Sequence, residues 1–316
     1  MSGKVVYVAL QQFCETDERP RQLLMEAGFE VRQNTFGRRL RRAEMPEVLR
    51  EADAVLAGVE PYDAELVHAL PRLQCISRCG VGTDSIDLEA ARRRGIAVYA
   101  TPDEVTEPVA QLTVALMLAL ARHLPQHLDA ARAGRWEKRT GVLLSEWTIG
   151  LIGFGRIGRS VERYLRPFGP RILAADPALR PGDTPETVKP VELAALLAQA
   201  EMVSLHASRP SDAGPLLGRR ELAAMKRGSY FVNTARGHLV DEAALVDVLQ
   251  SGHLAGAAID VFTEEPYAGP LARLPQVLCT PHVASLTRGS RAAMERRCAQ
   301  NVVEWGLSRS CPSQQS

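Results

Sequence analysis

The chain is predicted to be an α/β protein of two doubly wound parallel sheets, and three observations carry that prediction. Short apolar or β-branched runs alternate with helical patterns almost from end to end, the rhythm of the βαβ units that build parallel sheets. It breaks once, at Thr101-Pro102, after which Val105 to Arg122 forms one long, almost wholly apolar helical stretch. At 316 residues, against a prior of roughly 150 per domain, the chain has room for two cores and needs no disulfide staples.

The first series opens with a strand at Val5 to Ala9, a helix at Arg21 to Ala27 and a strand at Phe29 to Val31. It continues with a strand at Ala54 to Leu56, a helix at Ala64 to Leu70, a strand at Gln74 to Ser77, a helix at Leu88 to Arg94 and a strand at Ala97 to Tyr99. Gly28 and Gly95, each just past a helix, suit the position where positive φ is needed. The apolar helix Val105 to Arg122 is expected to lie buried at a domain junction. Strands starting at Thr148, Ile172, Met202, Tyr230, Ala257 and Val277, with helices between, make the second series. The last helix, Arg291 to Trp305, has no sheet of its own to follow and is expected to return to the first domain. The Pro and Ser in the final five residues suit a frayed tail.

Lys plus Arg at 38 against Asp plus Glu at 37 leaves a formal charge of +1, so no field exists to grip a phosphate polymer or an anionic membrane. The arginine clusters at 38, 39, 41 and 42, at 92 to 94, and at 219 and 220 have acidic residues nearby and read as solvated helix faces. The longest apolar stretch, Leu112 to Ala121, is half the roughly twenty residues a membrane span requires, and Val5 to Leu10 is too short for a secretion signal. Six cysteines (Cys14, Cys75, Cys79, Cys279, Cys298, Cys311) form no CxxC pair and have no histidine at ligand spacing. Neither a disulfide framework nor a metal site is expected, and the compartment is expected to be the reducing cytoplasm.

Thr148 to Ile152 reads as a strand, Gly153-Phe154-Gly155-Arg156-Ile157-Gly158 follows, and Ser160 to Leu165 reads as a helix. On its own a glycine motif of this kind is equally a tight turn. Here it sits between strand and helix, where Gly153 permits the turn, Gly155 lets backbone approach a pyrophosphate and Gly158 lets helix and strand pack closely. The next strand ends in Asp176, at the spacing where a carboxylate accepts hydrogen bonds from the adenosine ribose. A turn residue before Pro177 would not explain that spacing. No basic residue follows directly, so a 2′-phosphate would meet Asp176 unpaired and NAD is favoured over NADP.

Three further segments end strands on the same edge, where doubly wound sheets bind ligands: Asn233 to Gly237, Asp260 to Pro266 and Thr280 to Ser285. They bring Arg236, Glu265 and His282 together. Singly, each has a bland reading as a turn arginine, a solvated acid and a strand-end histidine; after a nicotinamide site the three acquire a joint one. With the loop Arg78-Cys79-Gly80-Val81-Gly82-Thr83-Asp84 and the stretch from Val109-Ala110-Gln111 to Arg122, the chain from about Leu73 to Trp305 resembles the D-isomer-specific 2-hydroxyacid dehydrogenases, with the phosphoglycerate dehydrogenase-like branch looking nearest.

The resemblance implies two Rossmann-like domains with the active site in the cleft between them. Residues 1–101 and 286–316 would form a flavodoxin-like substrate domain, and residues 102–285 a NAD domain. It implies that His282 takes the hydroxyl proton as hydride leaves C2, a task suited to imidazole. Glu265 would hold the other ring nitrogen, and Arg236 would grip the carboxylate or C2 oxygen with its planar fork. Arg78 and the backbone of Val81 and Gly82 would hold the substrate anion. Arg156, Ile157, Thr234, Ala235, Asp260 and Ser285 would join Gly153, Gly155, Gly158 and Asp176 around the cofactor, with Asp260 on the nicotinamide carboxamide.

An acid at 265 favours a hydroxy acid, because the similar formate dehydrogenases pair their histidine with glutamine. Three residues depart from the family pattern: Ser85 replaces the usual Asn, Ser208 a common Pro, and Ala57 the arginine that phosphoglycerate-specific relatives use on the phosphate. Lys138 and Arg139 lie on a segment that in such homodimers can reach the neighbouring subunit. The expected reaction is interconversion of a D-2-hydroxy acid and its 2-oxo acid, with 3-phosphoglycerate or a similar doubly anionic acid first. A hydroxypyruvate or glyoxylate reductase and a NAD(H)-sensing co-repressor-like protein are the alternatives. No C-terminal regulatory extension of the kind some phosphoglycerate dehydrogenases carry is expected.

Overall fold

A computed structural model describes residues 3–180, 182–209 and 213–308; Cys311 and the tail expected to fray lie outside them. The chain divides into two compact units, Met1–Val105 with Leu286–Ser316, and Thr106–Ser285.

The first unit is a βα repeat: β1 (Val5–Val8), α1 (Arg19–Glu26), β2 (Glu30–Gln33), α2 (Met45–Val48), β3 (Ala54–Ala57), α3 (Ala64–Ala69), β4 (Cys75–Arg78), α4 (Leu88–Arg93) and β5 (Ala97–Tyr99). All strands are parallel, in the order β2-β1-β3-β4-β5. The order reverses beside β1, so the switch point lies between β1 and β3. β1 and β3 are buried along their whole length, which is why they read as unbroken apolar runs rather than alternating ones. Asp63 and Asp87 cap α3 and α4 by accepting the N–H of Leu66 and Ala90, each at 2.8 Å. Gly28 and Gly95 take positive φ, 83° and 66°, after their helices.

The second unit begins with α5 (Thr106–Ala121) and α6 (Leu124–Arg132). It continues through β6 (Thr148–Ile152), α7 (Arg156–Leu165), β7 (Arg171–Ala175), β8 (Val188–Pro190), α8 (Leu193–Gln199), β9 (Met202–Leu205), α9 (Arg219–Ala224), β10 (Tyr230–Asn233), α10 (Glu242–Gln250), β11 (Gly256–Ile259) and β12 (Val277–Cys279). The sheet is again parallel, in the order β12-β11-β10-β9-β6-β7-β8. This is the doubly wound dinucleotide-binding order with one added strand, and its switch point lies between β6 and β9. One apolar cluster gathers Leu173, Val203, Phe231 and Ala257 with Leu196, Leu222 and Leu245. The other gathers Leu151, Ile172, Val232 and Ala258 with Met117 and Val161. The apolar stretch after Thr101-Pro102 becomes α5, which packs on α7 and on β10 and β11.

The chain then returns to the first unit as α11 (Arg288–Ser308), which packs on α1 and β4. Trp305 is 2% exposed and stacks on Phe29 with ring centroids 6.5 Å apart. Asn301 Nδ2 donates to Ser77 Oγ at 3.2 Å inside the core.

Candidate active site

The glycine turn lies where β6 meets α7. Gly153 has φ 88°, and an added Cβ there would stand 2.6 Å from the His206 carbonyl carbon. At Gly158 a Cβ would stand 2.3 Å from the Gly153 oxygen. These positions admit only glycine, so the turn is held tight against both the helix and the neighbouring strand end. Gly155 differs: among the described residues nothing lies within 4 Å of a Cβ built on it, which leaves room over the turn. α7 starts at Arg156, earlier than the Ser160 expected from sequence, so Ile157 and Gly158 belong to its first turn. Its N-cap, Gly155, supplies no side-chain cap, and the positive end of the helix faces the turn, where an anion is favoured.

Asp176 follows β7. Its Oδ2 accepts the Phe154 N–H at 2.8 Å and its Oδ1 the Ala178 N–H at 2.9 Å. An ionised carboxylate has about four acceptor positions, so capacity for ribose hydroxyls remains. The open cradle, uncapped helix end and adjacent carboxylate fit a dinucleotide.

The end of β9 adds a residue not singled out from sequence. Both ring nitrogens of His206 are buried with no hydrogen-bond partner among the described residues, and burial pulls its pKa down to about 3, so the imidazole is neutral. Its backbone N–H donates to Ile152 O at 2.7 Å, across the switch point from the glycine turn. A strand-end histidine in an apolar run carries no sequence signal for this; only the topology places it there.

Three strand ends supply the candidate reactive groups. After β10, the Asn233 side chain folds the chain into a turn: its Oδ1 accepts the Ala235 N–H and its Nδ2 donates to Arg236 O, both at 3.0 Å. Arg236 Nη1 donates to Ala235 O at 2.7 Å. Thr234 is buried, its hydroxyl 2.8 Å from that of Thr113 on α5. Gly237 then passes so close to the chain after β11 that a Cβ would stand 1.9 Å from the Phe262 carbonyl carbon. The Phe262 N–H donates to Glu265 Oε1 at 3.1 Å. Glu265 Oε2 lies 2.8 Å from His282 Nδ1. Arg236, Glu265 and His282 are thus linked through one continuous piece of backbone packing. The Glu265 contact occupies Nδ1 and leaves Nε2 as the other ring nitrogen.

His282 itself has φ 54°, a left-handed conformation uncommon outside glycine. Asp260 explains how it is held. The Asp260 backbone oxygen accepts the His282 N–H at 2.9 Å. Its side-chain Oδ1 accepts from Thr280 Oγ1 at 2.6 Å and Val283 N at 2.9 Å, while Oδ2 accepts from Ala284 N at 3.0 Å. Asp260 is 0% exposed, and its carboxylate fastens both sides of the His282 turn, which Ser285 ends half-buried.

In the first unit, Arg78 ends β4 and its Nη1 donates to the Cys79 oxygen. Gly80 takes φ 140° and exchanges hydrogen bonds with Thr101, its N–H donating to Thr101 Oγ1 at 2.7 Å and its oxygen accepting the Thr101 N–H at 2.9 Å. Val81 is exposed and Gly82 half-buried at the loop that follows. Among the described residues no group of three His, Cys, Asp or Glu side chains could hold a metal ion, and no helix is long and apolar enough to cross a membrane.

The geometry agrees with what the chain is similar to. The model of the D-isomer specific 2-hydroxyacid dehydrogenase NAD-binding domain matches residues 114–284. A glyoxylate reductase of Thermococcus litoralis is 35% identical over 274 residues, 83% of each chain. A D-3-phosphoglycerate dehydrogenase of Archaeoglobus fulgidus is 36% identical over 262 residues, which make up 81% of this chain and 50% of that one. Among solved structures, a glyoxylate reductase from Paecilomyes thermophila matches with a TM-score of 0.87 at 30% identity, over 97% of both chains. With a dinucleotide cradle and an Arg-Glu-His set ending strands of one sheet, the chain belongs to the D-isomer-specific 2-hydroxyacid dehydrogenases, NAD-dependent enzymes acting on CH–OH donors.

Proposed function

We propose that the protein reduces a short, unphosphorylated 2-oxo acid, glyoxylate or hydroxypyruvate, to the D-2-hydroxy acid, and runs the reverse oxidation on the same residues. The observation that carries this reading is the His282–Glu265 pair, 2.8 Å apart at Nδ1. NAD(H), when bound, gives or takes the hydride at C2. His282 donates the Nε2 proton to the carbonyl oxygen in the reductive direction and takes it back in the oxidative one. Glu265 fixes the tautomer and stabilises the imidazolium. Arg236 grips the carboxylate or C2 oxygen, and the Val81 and Gly82 N–H groups hold the carboxylate. Gly153, Gly155, Arg156, Ile157 and Gly158 seat the pyrophosphate, Asp176 reads the ribose, and Thr234, Ala235 and Ser285 line the remaining cofactor surface. Asp260 is a positioning residue for the His282 turn. The first unit would carry the substrate loop and the second the cofactor.

The expectation of 3-phosphoglycerate gives way to the shorter acids for two reasons. Ala57 lies opposite Arg78 in the β3–β4 register, so β3 ends without a cation for a phosphate. The Thermococcus relative, named for glyoxylate, aligns over most of its own length, whereas the phosphoglycerate dehydrogenase aligns over half. The test is loss of NADH absorbance across a panel of glyoxylate, hydroxypyruvate, pyruvate and 3-phosphohydroxypyruvate. Turnover of the first two at least ~10-fold above the phosphorylated acid in kcat/KM is expected, a margin of about 1.4 kcal/mol. A preference for the phosphorylated acid would overturn the substrate reading.

The protein is further proposed to work in the cytoplasm, where free thiols such as Cys14, Cys75, Cys79, Cys279 and Cys298 stay reduced, and as a homodimer. Residues 131–140 are all exposed, Trp136 is 90% exposed, and Leu124, Leu128 and Leu143 add further exposed apolar surface nearby. A bare tryptophan among leucines marks an interaction surface, and the occupant proposed is a second copy of the chain. Trp136→Glu is expected to convert dimer to monomer in sedimentation velocity at micromolar concentration. An unchanged mass would remove this segment from the interface.

A further inference from the structure

The loop after β3 carries a carboxylate that the reaction described above does not use. Glu60 is 3% exposed, and its Oε2 is buried with no hydrogen-bond partner among the described residues. A buried, half-satisfied carboxylate is costly. Its position is specific as well. An added Cβ at Gly58 would stand 2.7 Å from Glu60 Oε2, so the side chain folds back over the end of β3. On the adjacent strand, a Cβ at Gly80 would stand 2.6 Å from Arg78 Nη1, so that guanidinium folds back over the end of β4. The two loops are zipped together: Cys79 N–H donates to Ala57 O at 2.9 Å, Tyr62 N–H to Ser85 O at 2.7 Å and Asp87 N–H to Tyr62 O at 2.9 Å.

An acid and a guanidinium therefore sit over neighbouring strand ends, at the C-terminal edge of the sheet and beside its switch point, where open α/β sheets take their ligands. Burial pushes the Glu60 carboxyl up, against smaller downward pulls from its own N–H, Arg39, the Gly58 N–H and Arg78. The two arginines make the place unsuited to a cationic ligand group. What an unpartnered carboxyl oxygen lacks is a neutral donor. The carboxylate of a three-carbon 2-oxo acid is assigned to the Val81–Gly82 loop that follows β4, so its C3 hydroxyl can turn toward the end of the neighbouring strand, β3.

We propose that Glu60 is a specificity-determining residue, which accepts the hydrogen of a hydroxyl on C3 of the 2-oxo acid and excludes a phosphate ester there by like charge. The proposal rests on the reductase reading above. It selects hydroxypyruvate over glyoxylate, which has no C3 and leaves Glu60 unpaired, and over 3-phosphohydroxypyruvate, whose phosphate would face a carboxylate. Sites that hydrogen-bond a substrate hydroxyl discriminate strongly against analogues without it.

The experiment compares kcat/KM for hydroxypyruvate, glyoxylate and 3-phosphohydroxypyruvate in wild type, Glu60→Ala and Glu60→Gln, with thermal melting of each. Wild type is expected to favour hydroxypyruvate over glyoxylate by at least ~10-fold, and Glu60→Ala to lower that ratio by at least ~10-fold, chiefly through KM for hydroxypyruvate. Glu60→Gln keeps the shape and an acceptor oxygen but loses the charge, so its ratio of phosphorylated to plain hydroxypyruvate should rise by roughly 10-fold. If Glu60→Ala does not fold, the glutamine ratio alone decides. A wild-type preference for glyoxylate, or ratios within ~2-fold of wild type in the folded variants, would overturn the role of Glu60 and leave the reductase reading standing. A wild type inactive on all three acids would overturn the reductase reading itself.

Discussion

Replacing His282 with asparagine is expected to lower kcat by ~10² to 10⁴, a barrier increase of about 2.7–5.4 kcal/mol, while NADH binding persists. Asparagine is the informative substitution because position 282 has φ 54°, and asparagine tolerates the left-handed region that most residues avoid. The turn fastened by Asp260 should therefore survive, and the change isolates the imidazole. Loss of NADH absorbance with the 2-oxo acid panel gives kcat, and NADH fluorescence titration gives binding. Turnover within ~3-fold of wild type would remove His282 from proton transfer.

Gly237→Ala is expected to be nearly as damaging, without touching any group that reacts. The added Cβ would lie 1.9 Å from the Phe262 carbonyl carbon, 2.3 Å from its oxygen and 2.3 Å from the Thr263 nitrogen. Those are backbone atoms, so one of two strand-end loops must move. One carries Arg236; the other leads to Glu265, whose Oε1 is tied to the Phe262 N–H. Displacement by about 1 Å is enough to lose ~10²-fold in rate, and overpacking of this kind costs about 1–3 kcal/mol. The expected result is a fall in kcat/KM of ~10²-fold with Tm lowered by several degrees, about 2–4 °C per kcal/mol in a unit of this size. Wild-type kcat/KM with an unchanged melting curve would show that the two loops do not depend on each other.

Much of this arrangement was legible before the structure, for identifiable physical reasons. Parallel strands covered on both faces read as apolar runs, so the starts of β6, β9, β10 and β11 were plain to within one residue. The strand β8 was not, because Lys189 and Pro190 are exposed on a sheet edge. The helix α6 escaped notice because His123, with φ 49°, breaks the helical path of α5, and proline follows at the next helix's start. The beginning of α7 was placed too late because Gly158 resembles a turn residue; its reason for being glycine is the Gly153 oxygen. Arg236, Glu265 and His282 could be found because each follows a strand of one sheet, and sheet edges gather their ends. The hold of Asp260 on the His282 turn was not legible, because an acid at a strand end says nothing about which N–H groups it will meet, and that depends on how β11 and β12 lie side by side. Glu60 and His206 were invisible for a related reason: burial of a polar atom that lacks a partner among the described residues, Oε2 of Glu60 and the ring nitrogens of His206, belongs to the packed chain and to no local pattern.

The return of α11 to the first unit also governs the order in which the chain can fold. The core around β4 and α1 lacks Cys298, Val302 and Trp305, all nearly or fully buried, until more than 280 residues have been made. The second unit has no such debt, since everything between Thr106 and Ser285 is contiguous in the chain. During vectorial synthesis the inserted unit can therefore reach its native state while the earlier residues stay open, their apolar strand faces waiting for a helix translated after the whole of that unit. Protection of β1 and β4 against hydrogen exchange would accordingly appear only after α11 has left the ribosome, so the earliest-made strands would be among the last to become stable.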